Sequence, residues 1–497
     1  MSLRFAATPA GAVAATLLGF TLLRLIFAAS IGLGIDESYM VAAGRSFRLG
    51  YFDHPPLAWW LAAGAARLLA GDAAVVVRLP FIALFALSTW FMFRLGTLLF
   101  GAWAGAWAAF ALNLAPVFGV TSGGWVLPDG PLDCALLAAA LAFVHALEDG
   151  RWRWWLAAGL AAGLALLAKY TAVLTLAGAL LYLATQPGHR RWLRRPQPYT
   201  SVLLAGAVFS PVVAWNAVHG WASFAFQGGR AADGGFHPLG PLTVLAGGAL
   251  FVLPWLWLPM MAAFAGALRA GPGAWRGWLC AMLAAPPILL FAAVGLWTKH
   301  VMFHWAAAGY LMLFPLLGSL VLRLRPGLRR GAAGVTVALL VGGLGLVTAE
   351  VRWHVLPLQR DPGAEALDWA GLAPALAARG LLGGPGTVVG ATGWREAGKI
   401  DYALGGAATV ICLSRDPREY GLAAPRSAFV GRDVLIVTRR PLSAAVLAED
   451  GVAFAAIDPL GTVSLAPALR PGLSALLYLG HRLRVAPLPA PAAPLAR

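Results

Sequence analysis

Two adjacent carboxylates, Asp36 and Glu37, follow the first long apolar run of the chain. A carboxylate beside lipid is costly unless it is paired or lines a water-filled cavity, so this pair is a candidate functional site. A carboxylate at the boundary between water and lipid could act as a general base, because it can take a proton from a hydroxyl within hydrogen-bond distance. The alternative is a pair of solvated loop acids that only fix the end of a helix.

Other residues with acid, base or ligand chemistry follow along the chain. Asp53 and His54 precede a proline pair, where they could orient a substrate, hold a divalent ion or cap the turn. His300 and His304 have the i, i+4 spacing that places two side chains on one helix face, as in some metal sites. The candidate metal ligands are Asp53, His54, His237, His300 and His304. Interfacial histidines without a metal are the alternative.

Lysine is rare in this chain, in which arginine supplies most of the positive charge. The three lysines are Lys169, Lys299 and Lys399, and the first two lie at the ends of apolar runs. At such positions a lysine could bind an anionic group near the membrane surface. The alternative is that its side chain only reaches out of the lipid to the interface.

The composition is that of an integral membrane protein. Of the 497 residues 60% are hydrophobic and 12% charged, and the mean hydropathy is +0.75, which excludes a soluble enzyme. The net charge of +16 comes largely from arginines in short loops, where membrane orientation explains them, so nucleic-acid binding is discounted. The three cysteines lack the spacing of a disulfide framework or zinc site.

Apolar windows of about 20 residues predict eleven transmembrane helices. They lie near 11–30, 79–100, 102–122, 131–148, 153–168, 171–186, 199–217, 241–263, 277–297, 305–322 and 331–349. The stretch 31–78 is too polar to span and is predicted to be an outer loop with juxtamembrane helices. The first apolar run loosely fits a signal peptide, but ten further windows follow it, so we interpret it as a signal anchor.

The arginines predict the orientation of these helices. With the N-terminus in the cytoplasm, the loops predicted to be cytoplasmic carry most of the arginines of residues 1–350. These are Arg94, Arg151, Arg153, Arg190, Arg191, Arg194, Arg195, Arg269, Arg276, Arg323, Arg325, Arg329 and Arg330. The candidate acids, histidines and lysines then fall on the outer side, as does the segment that follows the last helix.

The segment after residue 350 is predicted to be a separate soluble domain. Acidic residues become frequent there and the apolar runs shorten to strand length, at 386–390, 407–413 and 433–438. Helical segments at 364–379 and 442–449 alternate with these strands, which predicts a small α/β domain over 351–485. We expect a membrane domain over 1–350 and a disordered Pro/Ala-rich tail over 486–497.

Several motifs occur together in a recognisable order. They are Asp36-Glu-Ser-Tyr, Gly50-Tyr-Phe-Asp-His-Pro-Pro-Leu-Ala-Trp-Trp, Arg78-Leu-Pro, Pro128-Asp129-Gly-Pro-Leu, Ala168-Lys169-Tyr170-Thr171, Trp215-Asn-Ala-Val-His-Gly-Trp-Ala-Ser-Phe-Ala-Phe-Gln and Phe303-His-Trp-Ala-Ala-Ala-Gly-Tyr. As a set, over about 10–350, they resemble the GT-C membrane glycosyltransferases that use polyprenyl-phosphate sugars. This superfamily includes the protein O-mannosyltransferases and the lipid A aminoarabinose transferase.

The resemblance implies an all-α polytopic GT-C fold and an inverting transfer of one sugar from a polyprenyl-phosphate carrier, such as undecaprenyl phosphate, to an acceptor hydroxyl outside the membrane. Asp36 matches the family's catalytic aspartate, with Glu37 beside it, and Asp129 resembles the second outer-loop acid. Asp129 could instead be the N-cap of the fourth span. Because the leaving group is a lipid phosphate, the reaction needs cations rather than a general acid. The candidates for binding the donor phosphate are Lys169, Arg230 and Lys299.

The resemblance also suggests weaker substrate contacts. Tyr39, Asp53, His54, Tyr170 and His304 are candidate substrate-binding residues, although aromatic residues at these positions more often belong to the interfacial belt. The corresponding loop of the aminoarabinose transferase carries Glu-Lys before its paired prolines, where this chain has Asp53-His54. Phosphate or metal contacts at that position are therefore not carried over.

The predicted setting is a bacterial plasma membrane with the site and the C-terminal domain facing the periplasm. The acceptor could be lipopolysaccharide or lipid A, another envelope glycan, or a protein. No cofactor is required by the sequence, and a divalent metal is possible. The rival hypotheses are a polytopic transporter and a noncatalytic scaffold of envelope glycan assembly. Charges clustered at one face and two dissimilar halves argue against the transporter.

Overall fold

The computed structural model describes residues 8–230, 235–299, 301–356, 361–383 and 386–486. Up to residue 185 the helices are α1 (Pro9–Ser30), α2 (Ile35–Gly44), α3 (Leu57–Leu68), α4 (Ala74–Phe100), α5 (Ala102–Leu114), α6 (Asp129–Asp149), α7 (Trp152–Ala168) and α8 (Ala172–Thr185). They are followed by α9 (Pro196–Val218), α10 (Ala222–Gly229), α11 (Gly240–Val252), α12 (Pro254–Ala270), α13 (Trp275–Val294), α14 (Ala307–Leu311), α15 (Phe314–Val321) and α16 (Pro326–Trp353).

Within the described residues, six helices are long and apolar enough to cross a membrane. These are α1, α4, α6, α9, α13 and α16. Two further spans are possible if each of two bent pairs crosses as one unit. One pair is α11 with α12, bent by 119°, and the other is Phe303–Leu311 with α15, bent by 64°.

A helix lies in each of the eleven predicted windows, but the helices differ from uniform spans. The windows at 241–263 and 305–322 contain the bent pairs. α5, α7 and α8 have 13, 17 and 14 residues, fewer than the roughly 20 that cross the hydrocarbon core unaided. Hydropathy therefore located the apolar helices correctly, whereas the count of eleven spans stays a prediction.

The described chain forms two compact units. The first contains the residues up to Ile26 together with His54–Ala58 and Arg78–Gly342. The second contains Phe27–Asp53, Trp59–Val77 and the described residues from Gly343 onward. The second unit thus joins most of the predicted outer loop to the C-terminal segment.

The first unit is built around apolar side chains, and Arg24 is one of the cations buried among them. Arg24, on α1, is only 8% exposed. Its Nε donates to the carbonyl oxygen of Gly119 and its Nη2 to Oδ1 of Asn113, both at 2.8 Å. Its guanidinium also lies over the ring of Phe85, 4.4 Å from the centroid. These contacts tie α1 to a π-helical turn, Val117–Ser122, that precedes α6.

The C-terminal part of the second unit is a mixed α/β domain. Its strands are β1 (Val388–Ala391), β2 (Thr409–Cys412), β3 (Val434–Thr438), β4 (Val452–Ala453), β5 (Ala456–Ala466), β6 (Arg470–His481) and β7 (Arg484–Val485). The main sheet has the order β2-β1-β3-β6-β5, parallel between β1 and both β2 and β3 and antiparallel at β6. β4 and β7 form a separate antiparallel pair.

The helices of this domain are α17 (Leu372–Ala378), α18 (Trp394–Leu404), α19 (Tyr420–Ala423) and α20 (Ala444–Glu449). The three predicted strands are confirmed by β1, β2 and β3. The hairpin of β5 and β6, in which exposed and buried residues alternate weakly, and the helix α18 were not predicted. The predicted tail lies outside the described residues from 487 onward.

Within the second unit, α18 packs closely against α2. A Cβ added at Gly398 would lie 2.8 Å from Cα of Tyr39, so only glycine permits this approach. The Nζ of Lys399 is buried and donates to the carbonyl oxygens of Leu33 and Leu367, each at 2.7 Å. The buried lysine thus links Leu33, which lies just before α2, to Leu367 in the C-terminal part of the unit.

Glu419 forms another connection in the same unit. One of its carboxylate oxygens accepts from the amide of Phe52 at 2.8 Å, and the other lies 3.3 Å from Nε of Arg48. Burial of the Glu419 side chain raises its pKa to about 7, although both contacts oppose the shift. The carboxyl group is therefore partly protonated near neutral pH.

We expect Arg24→Met to lower the stability of the protein by roughly 2–5 kcal/mol, because it leaves the Gly119 carbonyl and the Asn113 amide without their charged donor. Thermal unfolding of the detergent-solubilised protein measures this loss. Arg269→Met is the matched control, since Arg269 is exposed at the end of α12. Equal melting temperatures for the two variants would contradict the assigned role of Arg24.

We expect Glu419 to make stability depend on pH. Because the pKa of Glu419 is higher in the folded protein, its contribution is fully present below about pH 4.5, the unfolded value, and is lost as the pH rises to about 7. The shift corresponds to about 3 kcal/mol. Melting temperatures of wild type and Glu419→Gln between pH 4.5 and 8 measure it, and the variant should lack this slope. Glu365→Gln, at an exposed position, should keep it.

Candidate active site

Asp36 lies in the first turn of α2, in the second unit. Its side chain is exposed, and it forms no hydrogen bond or ion pair with any described residue. The protein surrounding the carboxyl group nevertheless desolvates it and raises its pKa, whereas the charges of Arg395 and Arg418 lower it. Exposure together with a raised pKa is expected of a group on a concave surface rather than of one inside the core. Asp36 therefore has the accessibility that a general base requires.

Glu37 has a different environment from its neighbour. Its side chain is 3% exposed, and its Oε2 accepts a hydrogen bond from the amide of Gly34 at 2.9 Å. This is the backward contact of a capping box, which stabilises the start of α2. Glu37 therefore fixes the end of a helix, as one of the two hypotheses for this pair expected. Asp36 is the accessible carboxylate of the pair.

Tyr39 and Asp53 form a buried hydrogen-bonded pair in the second unit. The hydroxyl of Tyr39 donates to Oδ1 of Asp53 at 2.7 Å and accepts from the amide of Glu419 at 3.0 Å. Arg418 donates from Nη1 to the other oxygen of Asp53, also at 2.7 Å. Burial lowers the pKa of Arg418, but the charges of Asp53 and Asp416 outweigh this effect and raise it overall. Arg418 therefore remains protonated.

This geometry corrects the expected roles of both residues. Tyr39 is only 3% exposed, so its ring is not available to stack on a sugar. Burial raises the pKa of Tyr39 well above its ordinary value, and the hydroxyl stays protonated as a donor. Asp53 is 5% exposed, and both of its oxygens are occupied. Both side chains are therefore engaged by protein partners within the second unit.

Trp394 lies between two arginines at the start of α18. The guanidinium of Arg418 is 4.6 Å from the centroid of the ring, and that of Arg395 is 5.5 Å away. The ring also meets Tyr39 edge to face, at a centroid distance of 5.3 Å. Arg395 is exposed and, among the described residues, forms no hydrogen bond or ion pair. It is the nearby cation with the largest effect on Asp36.

A second group of candidate residues lies in the first unit. Nζ of Lys169 is 2.9 Å from Oδ1 of Asp129, and both side chains are largely buried. Asp129 begins α6, but its side chain forms no helix cap, so the N-cap alternative is wrong. Lys169 follows α7 in an extended conformation that directs the chain back toward α8. The two predicted residues, 40 positions apart, thus form a buried ion pair.

Histidine and arginine side chains surround this pair. His304 lies within electrostatic range of Lys169, Asp129 and Arg230, and His54 lies within range of Asp129. The guanidinium of Arg230 lies 4.5 Å from the ring centroid of Trp305. Four predicted candidates, Asp129, Lys169, His304 and Arg230, thus lie within electrostatic range of at least one other member of the group, and His54 lies within range of Asp129.

Tyr170 contacts residues outside this group, and Lys299 is exposed. The hydroxyl of Tyr170 is 2.7 Å from Oγ of Ser223, and its ring meets Phe224 edge to face. Lys299 is exposed in the segment after α13, and no described residue forms a hydrogen bond or ion pair with it. Its proposed contact with phosphate therefore remains a prediction from sequence alone.

The described members of the predicted metal set do not assemble into a ligand cluster. Asp53, His54, His237 and His304 form no group with ligand atoms at metal-binding spacing, and His300 lies outside the described residues. The predicted helix face shared by His300 and His304 lies partly outside the described residues, in which residues 301 and 302 are not helical and His304 belongs to a 3₁₀ turn that begins at Phe303. Among the described residues, the group with suitable spacing is Glu350, His354 and Asp361. There Arg470 already binds Asp361, at 2.8 Å.

Four residues of the second unit that lie near Asp36 or Asp53 were not predicted from the sequence. They are Trp394, Arg395, Arg418 and Glu419. Trp394 and Arg395 begin α18, whose buried positions Ala397, Ile400 and Leu404 have helical spacing. That pattern could have predicted the helix, but nothing in the sequence indicated that it contacts α2. Asp133, one turn after Asp129 and 2% exposed, has the i, i+4 spacing that could have linked it to the first-unit group.

Residues 53–215 match the family described as dolichyl-phosphate-mannose-protein mannosyltransferase. This range contains Asp53, His54, Asp129, Lys169 and Tyr170, and it begins after Asp36. No curated protein is significantly similar to the chain in sequence.

Two crystal structures of ArnT from Cupriavidus metallidurans share the fold of the chain. The apo structure has a TM-score of 0.63 at 14% identity, and the structure bound to undecaprenyl phosphate has a TM-score of 0.65 at 16% identity. Each match covers 93% of this chain and 97% of ArnT. The similarity therefore extends over both the membrane helices and the C-terminal domain.

The all-α membrane fold with a small C-terminal sheet domain, predicted from the motifs, is confirmed by these matches. The chain has several apolar helices and the same overall fold as ArnT, so it is a multi-pass membrane protein. The chain therefore has the GT-C fold that it shares with ArnT, and the match to the mannosyltransferase family covers residues 53–215, about a third of its length.

Proposed function

We propose that the chain is an inverting glycosyltransferase that moves one sugar from a polyprenyl-phosphate carrier to an acceptor hydroxyl at the outer face of a bacterial plasma membrane. The observation that carries the proposal is the environment of Asp36. It is an exposed carboxylate without a protein partner among the described residues, on a short helix that follows the first membrane helix. The GT-C fold and the family match support the class of reaction.

In the proposed reaction, Asp36 accepts the proton of the acceptor hydroxyl as its oxygen attacks the anomeric carbon. The bond between that carbon and the phosphate oxygen breaks, and the polyprenyl phosphate leaves with the bonding electron pair. A phosphate is already a good leaving group, so no proton donor is required. Cations that stabilise the growing negative charge on the phosphate would accelerate this step.

The first-unit group suits the donor phosphate. Lys169 and Arg230 supply positive charge, and His304 supplies a polar group close to both. Asp129 holds the Lys169 ammonium through the 2.9 Å ion pair and thereby fixes its position. Both Lys169 and Arg230 are candidates for direct contact with the phosphate. The guanidinium of Arg230 is already oriented by Trp305.

The acceptor and the cellular setting are part of the proposal. ArnT from Cupriavidus metallidurans has been crystallised with undecaprenyl phosphate, which supports a carrier of that class for this chain. A glycolipid such as lipid A, another envelope glycan or a protein would present a hydroxyl from the water side. The distribution of arginines supports an outer-facing site and C-terminal domain.

We expect Asp36→Asn to reduce sugar transfer by roughly 100- to 10,000-fold, since the amide cannot accept the proton. The measurement is mass spectrometry of lipid-linked sugars and envelope glycans from cells that lack the gene, complemented by wild type or variant. Wild type should restore the missing sugar on one acceptor, and the variant should leave the polyprenyl-phosphate sugar accumulated.

Glu148→Gln is the matched control for this experiment, because Glu148 is an exposed acid at the far end of α6. It should complement like wild type. Full complementation by Asp36→Asn would contradict Asp36 as the base. Unchanged lipid and glycan pools after deletion of the gene would instead favour a transporter or a scaffold.

We expect Arg395→Gln to move the acidic limb of the pH profile of kcat/KM to higher pH. The sign follows from the electrostatics: Arg395 lowers the pKa of Asp36, so removing its charge makes the base harder to ionise. Arg395→Lys keeps the charge and should leave the limb near its wild-type position.

Arg415→Gln is the control for a general loss of positive charge, because Arg415 is exposed in the same domain. The profiles are measured with purified protein and the donor and acceptor identified by complementation. An acidic limb that stays in place in Arg395→Gln, or that moves equally in Arg415→Gln, would contradict the assigned influence of Arg395.

A further inference from the structure

We propose that the first unit contains a binding groove for one acyl chain of an anionic membrane phospholipid, between α1, α5 and α16. The groove has a volume of about 640 Å³. It is lined by small and apolar side chains of these three helices, with Arg330 at one end. This site is separate from the proposed active site, and it does not depend on the proposed function.

The walls of the groove match a single hydrocarbon chain in length and polarity. Its lining runs from Ala12 to Leu23 on α1 and from Arg330 to Val341 on α16. Eleven residue steps of an α-helix extend about 16 Å, which is most of the length of an extended acyl chain. Thr16 is the polar residue of the α1 wall, and its hydroxyl donates back to the carbonyl of Ala12. The walls therefore favour an apolar occupant.

The space exists because small residues line it. Gly19 faces the groove, and a Cβ added there would meet no other atom within 4 Å. α16 contributes few buried residues, since only 11% of its apolar stretch is buried within the protein. The groove is therefore open along a helix whose other faces also contact lipid, and a chain can enter it from the bilayer.

Positive charge at one end of the groove favours a lipid with an anionic headgroup. Arg330 is exposed and, among the described residues, forms no hydrogen bond or ion pair. The guanidinium of Arg329 lies 5.7 Å from the ring centroid of Trp107, and its buried Nε has no hydrogen-bond partner within the described chain. A phosphate above the groove would receive hydrogen bonds from both arginines.

The occupant that these features favour is a phospholipid of the leaflet at which α16 begins. In the predicted topology this is the cytoplasmic leaflet, where anionic phospholipids interact with basic residues next to membrane helices. Arg323 and Arg325 lie just before α16 and add to the positive charge at this end. A polyprenyl phosphate serving the proposed reaction would instead bring its phosphate to the outer side.

Native mass spectrometry of the detergent-purified protein tests the proposal with phosphatidylglycerol, phosphatidylcholine and undecaprenyl phosphate as separate probes. We expect wild type to retain one phosphatidylglycerol roughly 10-fold more strongly than phosphatidylcholine. Retention of both phospholipids to the same extent, or stronger retention of undecaprenyl phosphate at this groove, would overturn the proposal.

Two substitutions separate the acyl-chain contact from the headgroup contact. Gly19→Leu fills the groove and should abolish retention of phosphatidylglycerol. Its matched control is Gly206→Leu, because Gly206 is an exposed membrane-helix glycine that also has no atom within 4 Å of an added Cβ. Arg330→Gln should remove the preference for the anionic headgroup. Arg269→Gln, at the exposed end of α12, should preserve it.

The melting temperature of each variant shows whether it has folded. Should Gly19→Leu fail to fold, Ala333→Leu fills the same groove from α16. Retention of phosphatidylglycerol at the wild-type level by a folded groove-filling variant would overturn the proposal. Loss of retention in Gly206→Leu as well would also overturn it, because the lipid would then bind elsewhere on the membrane surface.

Discussion

The contact between α2 and α18 determines the position of the carboxylate on which the proposed chemistry depends. α2 has only ten residues, too few to be stable as an isolated helix in water. Its stability must come from what it packs against, and in the second unit that is α18, at the closest point through Gly398. Lys399 adds two hydrogen bonds from a buried ammonium, a group that is costly to bury without such partners. The rigidity of Asp36 is thus supplied by a segment more than 350 positions away.

The carboxylates of Asp36, Glu37 and Asp53 are chemically similar, but their different surroundings give them different roles. Glu37 caps a helix, and Asp53 accepts hydrogen bonds from Tyr39 and Arg418. Both carboxylates are therefore engaged in contacts within the protein. Asp36 has none of these contacts and faces solvent. A base must exchange its proton with a substrate, and a carboxylate already engaged by arginine or backbone amides would be a poor acceptor. The neighbouring acids therefore stabilise the loop, and Asp36 remains free to react.

Local patterns predicted much of the fold. Hydropathy located the helices, because burial in lipid requires long apolar runs, and the motif order indicated the GT-C fold. The same patterns could not predict that α11 and α12 meet at 119°. The bend falls at Leu253, which has a positive φ of 82°, directly before α12 begins at Pro254. The i, i+4 spacing indicated an α-helix at His304, whereas this residue lies in a 3₁₀ turn that begins at Phe303. Ion pairs such as Asp53 with Arg418 join residues 365 positions apart, and no local spacing contains that information.

The second unit is formed by segments that are distant in sequence, which limits how chimaeras of such proteins can be made. Residues 27–53 and 59–77 belong to one compact body with the C-terminal domain, although about 265 residues of membrane helices separate them in sequence. A chimaera that takes its C-terminal domain from one relative and its first loop from another would set a foreign α18 against α2 and a foreign partner against Asp53. The two segments belong to one compact unit, so a graft that keeps the loop of Asp36 folded has to carry both.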